Sequence, residues 1–183
     1  MRLVKWHKLS RVGKKGLAFW ADRSGITAIE FSMIAVPFFV LALGIIEVGL
    51  SHFANRMVDN AVISASRLIR TGQADQGGLS ASDFKDQICG FLPTFMCNTD
   101  RIYVEVTAVD TFADAASTDS LYDDEGNLRD TTGFDVGEAG GIVVVNVIYK
   151  WPMMTSSLEF DHADHNGERH LTSTMVFRNE PYE

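Results

Sequence analysis

A glycine and a glutamate at the start of a long apolar run have the types and the spacing for chemistry at a membrane. Gly25 is followed by four uncharged residues and then by Glu30, and the apolar run continues beyond this glutamate. An ionised carboxylate costs on the order of 2.5–3.5 kcal/mol at the centre of a bilayer. Glu30 therefore needs either a position at the membrane interface, where its side chain reaches the headgroups, or a cationic partner.

Acidic and histidine side chains gather in a second group, from Asp161 to His165 with Glu168 and His170 nearby. These are metal-ligand types, but no helical or strand spacing fixes them, and a solvated polar loop is the favoured interpretation. The DDEGN segment, 123–127, lacks the ligand spacing of a calcium-binding loop and predicts a solvated turn. No nucleophile elbow or phosphate-binding loop is present. We expect no catalytic, cofactor-binding or metal-binding residues and no enzymatic activity.

The apolar run that positions Glu30 is long enough to cross a membrane. From Ile26 to Leu50 the only charged residues are Glu30 and Glu47. A helix over this range would rise about 37 Å, and a hydrocarbon core is about 30 Å thick. Pro37 predicts a kink of the kind that membrane helices tolerate. Glu47 is expected at the far membrane edge, as an interfacial charge or paired with another stalk.

The charges are distributed unevenly along the chain. Residues 1–25 hold seven Lys and Arg against one acid, whereas the remainder holds nine against 23. The basic flank is expected to stay in the cytoplasm, so that the C-terminal body is exported. A removable secretory signal is disfavoured because its apolar core would be shorter, about 7–15 residues. The acidic body makes nucleic acid an unsuitable partner.

A helical pattern continues beyond the membrane segment. Apolar residues recur at spacings of three and four as far as Ile69, with polar residues largely between them, and Thr71-Gly72 is a suitable helix end. One helix from Ile26 to Ile69 is therefore predicted. The expected organisation is a basic cytoplasmic leader (1–25), a transmembrane helix (26–50), an amphipathic continuation (51–72) and an exported head (73–183).

The head is predicted to contain a short helix and three strands. Ser80 to Asp83 is a suitable N-cap region for a helix that reaches about Ile88. Alternating or β-branched residues predict strands at Arg101–Val109, Gly141–Trp151 and 169–178, each with a polar side. An antiparallel sheet with one face on the long helix follows, which is an α+β fold. The long acidic segment Asp110–Gly140 is expected to be an exposed connection.

Two cysteines, Cys89 and Cys97, lie close together in the predicted head. If the head is exported, oxidising conditions favour a disulfide between them. Two reduced, buried thiols are the alternative.

The segment that begins at Gly25 resembles a type IV prepilin processing site, and more closely the TadE-like pseudopilins of the Flp (tight adherence) pilus and secretion system. The resemblance rests on four stretches, two of them in the membrane segment and two in the body. They are GITAIEF (Gly25–Phe31), the run with Pro37 and GIIEVG (Gly44–Gly49), ASRLIRTGQ (Ala65–Gln73) and FRNEP (Phe177–Pro181).

The resemblance implies that a prepilin peptidase cleaves the chain after Gly25, which makes Ile26 the new N-terminus. Glu30, the fifth residue of the processed chain, would then pair with the N-terminal amine of a neighbouring subunit. Since a major Flp pilin has little beyond its helix, the large head implies a minor pilin or pseudopilin.

The same resemblance implies the location and the partners. The chain would be a single-pass protein of the inner membrane, with its N-terminus in the cytoplasm and its head in the periplasm or outside the cell. Its partners would be the peptidase, the lipid bilayer, other Tad/Flp pilins and pseudopilins, and the inner-membrane assembly platform. One alternative is an uncleaved, membrane-anchored scaffold whose head binds other secretion components. The other is an anchored metal-binding or enzymatic module that uses the His162–His170 loop.

Overall fold

One long helix, α1, dominates the chain and runs from Ile26 to Arg70. The computed structural model describes residues 25–117, 121–123, 127–129, 133–154 and 167–182. The observed ends of α1 lie within one residue of the predicted ends, and the helix continues through Pro37 without interruption. Apart from Gly25, the predicted leader lies outside the described residues.

The chain divides into two compact units between Ile45 and Ile46. In the first unit, the described residues of α1 are apolar on nearly every side and mostly exposed. The described part of the chain contains one helix, α1, with a stretch long and apolar enough to cross a membrane. That combination indicates a membrane anchor, because side chains of this kind are stable when lipid surrounds them. We call the second unit, Ile46–Glu183, the body. It includes residues 46–50, which are the last residues of the predicted transmembrane segment.

The body contains a three-stranded antiparallel sheet in the order β1-β2-β3. Val109 pairs with Ile142 at one end of the β1–β2 ladder, and Ile102 pairs with Tyr149 at the other. One very short helix, a longer helix and two 3-10 turns connect these elements. The elements after α1 are α2 (Gln73–Gln76), α3 (Ala81–Phe91), a 3-10 turn (Thr99–Arg101), β1 (Ile102–Val109), a 3-10 turn (Asp114–Ser117), β2 (Ile142–Pro152) and β3 (Glu168–Arg178).

The second half of α1 packs on one face of this sheet, so the predicted α+β class is confirmed. The buried stripe of the helix consists mainly of small and β-branched residues, which allow the helix backbone to lie close to the strands. The strands contribute β-branched side chains to the same core. The helix residues of this core are Ala54, Val58, Ala61, Val62, Ala65 and Ile69, and the main strand residues are Ile102, Val104, Val106, Val143, Val145 and Val147.

The central strand differs from its prediction. We expected a polar side on each strand, but β2 is buried on both faces along most of its length. Val144 and Ile148 belong to the face opposite the main core and are 1% and 2% exposed. Asn146 is the polar exception in the middle of the strand. A near-continuous apolar run is typical of a strand covered on both sides, and the sequence VVVNVI of β2 has this character.

Helix α3 begins and ends through local contacts that its sequence specifies. The Ser80 hydroxyl accepts a hydrogen bond from the Asp83 amide, and the Asp83 carboxylate accepts one from the Ser80 amide. This capping box satisfies amide groups that the first turn leaves without partners. Hydrogen bonds from Ser80 also hold the pKa of Asp83 below its usual value. The helix extends to Phe91, three residues beyond the predicted end at Ile88.

A disulfide joins Cys89, in the last turn of α3, to Cys97. The loop that it closes is also held to the sheet, because the Tyr149 hydroxyl donates a hydrogen bond to the Met96 carbonyl (2.9 Å). Burial raises the pKa of the Tyr149 phenol, and the nearby Arg101 partly opposes this shift. The disulfide and the hydrogen bond from Tyr149 therefore both hold this loop in place.

Candidate processing and assembly site

Gly25 occupies a turn directly before α1, and its carbonyl accepts a hydrogen bond from the Ile29 amide (3.1 Å). A Cβ added at this glycine would meet nothing within 4 Å, and the backbone is outside the left-handed region. The fold of the described residues therefore does not require glycine at position 25. A requirement for glycine would come from something outside this fold, such as an enzyme that approaches the backbone closely.

Glu30 lies just over one helical turn after Gly25, on a part of α1 where every residue from Ile26 to Ile34 is exposed. Among the described residues, it makes no hydrogen bond through its side chain and no ion pair. The same helix carries no other charged side chain before Glu47. In lipid, a carboxylate in this position is energetically unfavourable without a cation.

Glu47 is in a very different environment. It is 3% exposed, and its Oε1 accepts a hydrogen bond from the backbone amide of Met154, just after β2. We expected a charge at the far membrane edge, either interfacial or paired with another stalk, whereas this carboxylate is buried and bonded to an amide of its own chain. A buried carboxylate is stable when donors within the fold satisfy it. The two glutamates of the apolar run therefore differ. Glu47 accepts a hydrogen bond from a backbone amide of the body, whereas the side chain of Glu30 makes no hydrogen bond among the described residues.

We expect Glu47→Ala to weaken the attachment of α1 to the end of β2, because the Met154 amide would lose its acceptor. The cost should be about 1–3 kcal/mol, the range for a buried group left without its hydrogen bond. Amide exchange at Met154, measured on the full chain in detergent micelles, should accelerate about 5- to 150-fold. Glu47→Gln keeps the acceptor oxygen and should change exchange much less. Equal exchange rates in Glu47→Ala and the native chain would contradict this assignment.

The two body stretches of the resemblance meet at the C-terminal end of α1. Arg70 and Glu180 form an ion pair (3.2 Å), and the Glu180 amide donates to the Arg70 carbonyl (2.8 Å). The ring of Tyr182 covers Gly72, whose φ is +77°. The stretches ASRLIRTGQ and FRNEP are therefore in direct contact, although the rest of the body separates them in sequence.

We call residues 179–182, which follow β3, the tail. Asn179 anchors the tail to the sheet. Its backbone amide donates to the Gly141 carbonyl (2.8 Å), and its side-chain Nδ2 donates to the carbonyls of Val136 (2.9 Å) and Glu138 (3.1 Å). Asn179 is 3% exposed, so these bonds are sheltered from water. The sequence pointed to FRNEP only through resemblance, and its structural role is to join α1, the loop before β2 and the end of β3.

The structure describes only part of the second chemical group. Asp161–His165 lies outside the described residues, while His170 is on β3, where its Nδ1 is 2.8 Å from the Tyr122 hydroxyl. Asp123 accepts a hydrogen bond from the Asn127 amide within the acidic segment. Across the described ranges, no three His, Cys, Asp or Glu side chains gather as a metal site would require.

Residues 25–67 match the family model described as TadE-like protein. The match begins at Gly25 and covers α1 almost to its end, so it includes both glutamates of the apolar run. Comparisons with curated proteins and with solved structures gave no match. Over these residues the family model confirms the predicted resemblance, and it supports a general association with the Tad pilus machinery.

Proposed function

From the match of residues 25–67 to the TadE-like family model and from the membrane anchor, we propose that this chain is a minor pilin or pseudopilin of an Flp (Tad) type IVb pilus assembly and secretion system. A prepilin peptidase cleaves it after Gly25, and the processed chain acts as a structural or assembly subunit. It has no catalytic activity of its own and is the peptidase's substrate. Its N-terminus faces the cytoplasm, and its body is in the periplasm or outside the cell.

The observation that carries this proposal is the position of Glu30. Its side chain is exposed on an apolar helix and has no cation among the described residues. Cleavage after Gly25 would create a cationic amine at Ile26, about 6 Å along the helix axis from Glu30. A neighbouring subunit that is shifted by about this rise would bring its own amine to Glu30. The charge would then be paired in one register and unpaired in others.

Gly25 gives independent support to the same proposal, because the fold does not require a glycine at this position. The described fold leaves open space around this residue and does not need its conformational freedom. A peptidase with catalytic carboxylates close to the scissile bond gives a reason for the missing side chain. The basic leader that precedes Gly25 suits a cytoplasmic peptide that is removed before assembly. The other partners proposed are Tad/Flp pilins and the inner-membrane assembly platform.

The proposal is tested by expressing the chain with and without its prepilin peptidase and then determining mass and N-terminal residue. We expect Ile26 at the N-terminus only when the peptidase is present. Gly25→Leu should slow cleavage about 100-fold, the scale of a misplacement near 1 Å in an active site. Gly44→Leu is a matched control, because a Cβ there also meets nothing within 4 Å and the residue is remote from the cut.

Other outcomes would contradict the proposal. A chain that keeps Met1 in both conditions would favour the uncleaved scaffold that binds secretion components through its body. Equal cleavage of Gly25→Leu and the native chain would place the cut elsewhere.

A further inference from the structure

The most exposed apolar side chains of the body lie at the end where α1 enters it. Phe95 and Met154 are 75% and 71% exposed, more than any other large apolar residue described in the body. Met154 follows the C-terminal end of β2, and its amide contacts Glu47 of α1. Exposed apolar residues in proximity commonly mark an interaction surface.

These side chains border a groove of about 270 Å³ above the buried Glu47. We call this surface the entry face. Arg101 lies in the groove, and Trp151 contributes an indole that is only partly covered. The residues of the entry face are Leu50, Phe95, Arg101, Trp151, Pro152 and Met154.

The loop closed by the Cys89–Cys97 disulfide exposes two phenylalanine side chains, Phe91 and Phe95. Within Cys89–Cys97, Leu92 and Met96 are buried at 7% and 1% exposure, whereas Phe91 and Phe95 are 53% and 75% exposed. The covalent link and the hydrogen bond from Tyr149 to Met96 hold the buried side of this loop. The body therefore presents two aromatic rings to its surroundings from a fixed loop.

The entry face includes Leu50, a residue of α1 that follows soon after the membrane-length segment in sequence. Residues 26–45 of α1 are long enough to cross about 30 Å. The next turns of the helix, in the body, still expose Ile46, Leu50 and Phe53 at 54%, 40% and 55%. Leu50 belongs to the entry face and follows Ile45 by five residues of one continuous helix, which is about 7.5 Å of rise. A membrane that ends near Ile45 would therefore bring its headgroups close to this residue.

We propose that the entry face docks on the lipid interface of the membrane that α1 crosses. Phe95 and Met154 insert among the upper acyl chains, Trp151 lies at the headgroup level that tryptophan prefers, and Arg101 faces the phosphates. Glu47, the acid in the groove, is already engaged by the Met154 amide. The docking is driven by apolar contact and does not require anionic lipid. It rests on the membrane anchor of the proposed function and is independent of cleavage and assembly.

The test uses spin labels on the full chain, reconstituted alone in phosphatidylcholine vesicles. Both native cysteines are in the disulfide, so an introduced cysteine is the single labelling site. Met154→Cys probes the entry face. Phe112→Cys is the matched control, since Phe112 is 59% exposed and follows Val109, at the opposite end of the sheet. Collision rates with oxygen, which concentrates in lipid, and with a water-soluble nickel complex are measured for each label.

We expect the Met154 label to collide more often with oxygen than with the nickel complex, and the Phe112 label to do the reverse. Similar access of nickel to both labels would overturn the proposal, because the entry face would then be in water. A Met154 label that neither reagent reaches would also overturn it, since protein would cover the face, as in contact with a second copy. Since no peptidase is present, these results are separate from the cleavage test, and failure of one leaves the other standing.

Discussion

Glu30→Ala should be cleaved normally after Gly25 and should then fail to assemble. The substitution leaves Gly25 and Ile26 unchanged, so the peptidase would meet the same bond. In the assembled state, however, the amine of a neighbouring Ile26 would lose its counter-ion in a medium of low dielectric constant. Removing one partner of a buried ion pair costs about 3–5 kcal/mol, which corresponds to about 150- to 5,000-fold in each subunit contact. Pilus-associated protein, relative to membrane-bound processed protein, measures the effect.

Two further variants separate charge from shape and position. Glu30→Gln keeps the size of the side chain and removes its charge, and it should assemble as poorly as Glu30→Ala. Ser32→Ala is a neutral control on the same part of α1, where the native hydroxyl only donates to the Ile29 carbonyl (2.8 Å). This control should assemble like the native chain. Normal assembly of processed Glu30→Ala would refute the pairing of Glu30 with an amine.

Gly72→Ala should destabilise the body by about 2–5 kcal/mol. One part of this cost is the left-handed backbone at φ +77°, which is about 1–2 kcal/mol for a residue with a Cβ. The other part is steric, because the new Cβ would lie 2.4 Å from Cγ of Tyr182. Moving that ring disturbs the tail that contacts Arg70, and overpacking of this kind costs about 1–3 kcal/mol. Denaturant unfolding of the full chain in mild detergent, followed by near-ultraviolet circular dichroism, measures the change.

Gly78 provides a matched control for this experiment. Its φ is +58°, but a Cβ there would meet nothing within 4 Å. Gly78→Ala should therefore show the backbone cost alone, about 1–2 kcal/mol. Adding Tyr182→Ala to Gly72→Ala should relieve the steric part of the destabilisation. If Gly72→Ala and Gly78→Ala were equally destabilising, the contact with Tyr182 would have no energetic importance.

Local patterns in the sequence predicted α1, α3 and the three strands, but not α2 or the two 3-10 turns. The spacing of apolar residues predicted α1 to within one residue. Alternation predicted β1 and β3, and a β-branched and aromatic run predicted β2, with boundaries close to those observed. Ser80 and Asp83 predicted the start of α3 because a capping box depends on residues that are adjacent along the chain. The burial of both faces of β2 was missed because we expected every strand to have a polar side, although its β-branched run is typical of a strand covered on both faces.

Contacts between distant residues account for what the sequence could not predict. Glu47 resembled an interfacial charge because its neighbours in sequence are apolar, and its donor, the Met154 amide, is 107 positions away. Likewise, Gly72 predicted a helix end because of its backbone freedom. The ring that covers it belongs to Tyr182, which is distant in sequence, so this contact could not be predicted. At the candidate site, Gly25 and Glu30 could be identified from the sequence because the resemblance to a prepilin processing site depends on their spacing along the chain.

The tail has a mechanical consequence for a subunit that is anchored through one helix. Tension on the membrane segment would enter the body at Ile46 and pass along α1, whose buried stripe extends from Ala54 to Ile69. At the far end of that stripe, Glu180 holds the Arg70 backbone and side chain. Withdrawing the helix would thus require many apolar contacts to slide together and this terminal attachment to break. Contacts loaded together in shear resist force better than contacts that peel one at a time, which would suit the pilus or assembly subunit proposed above.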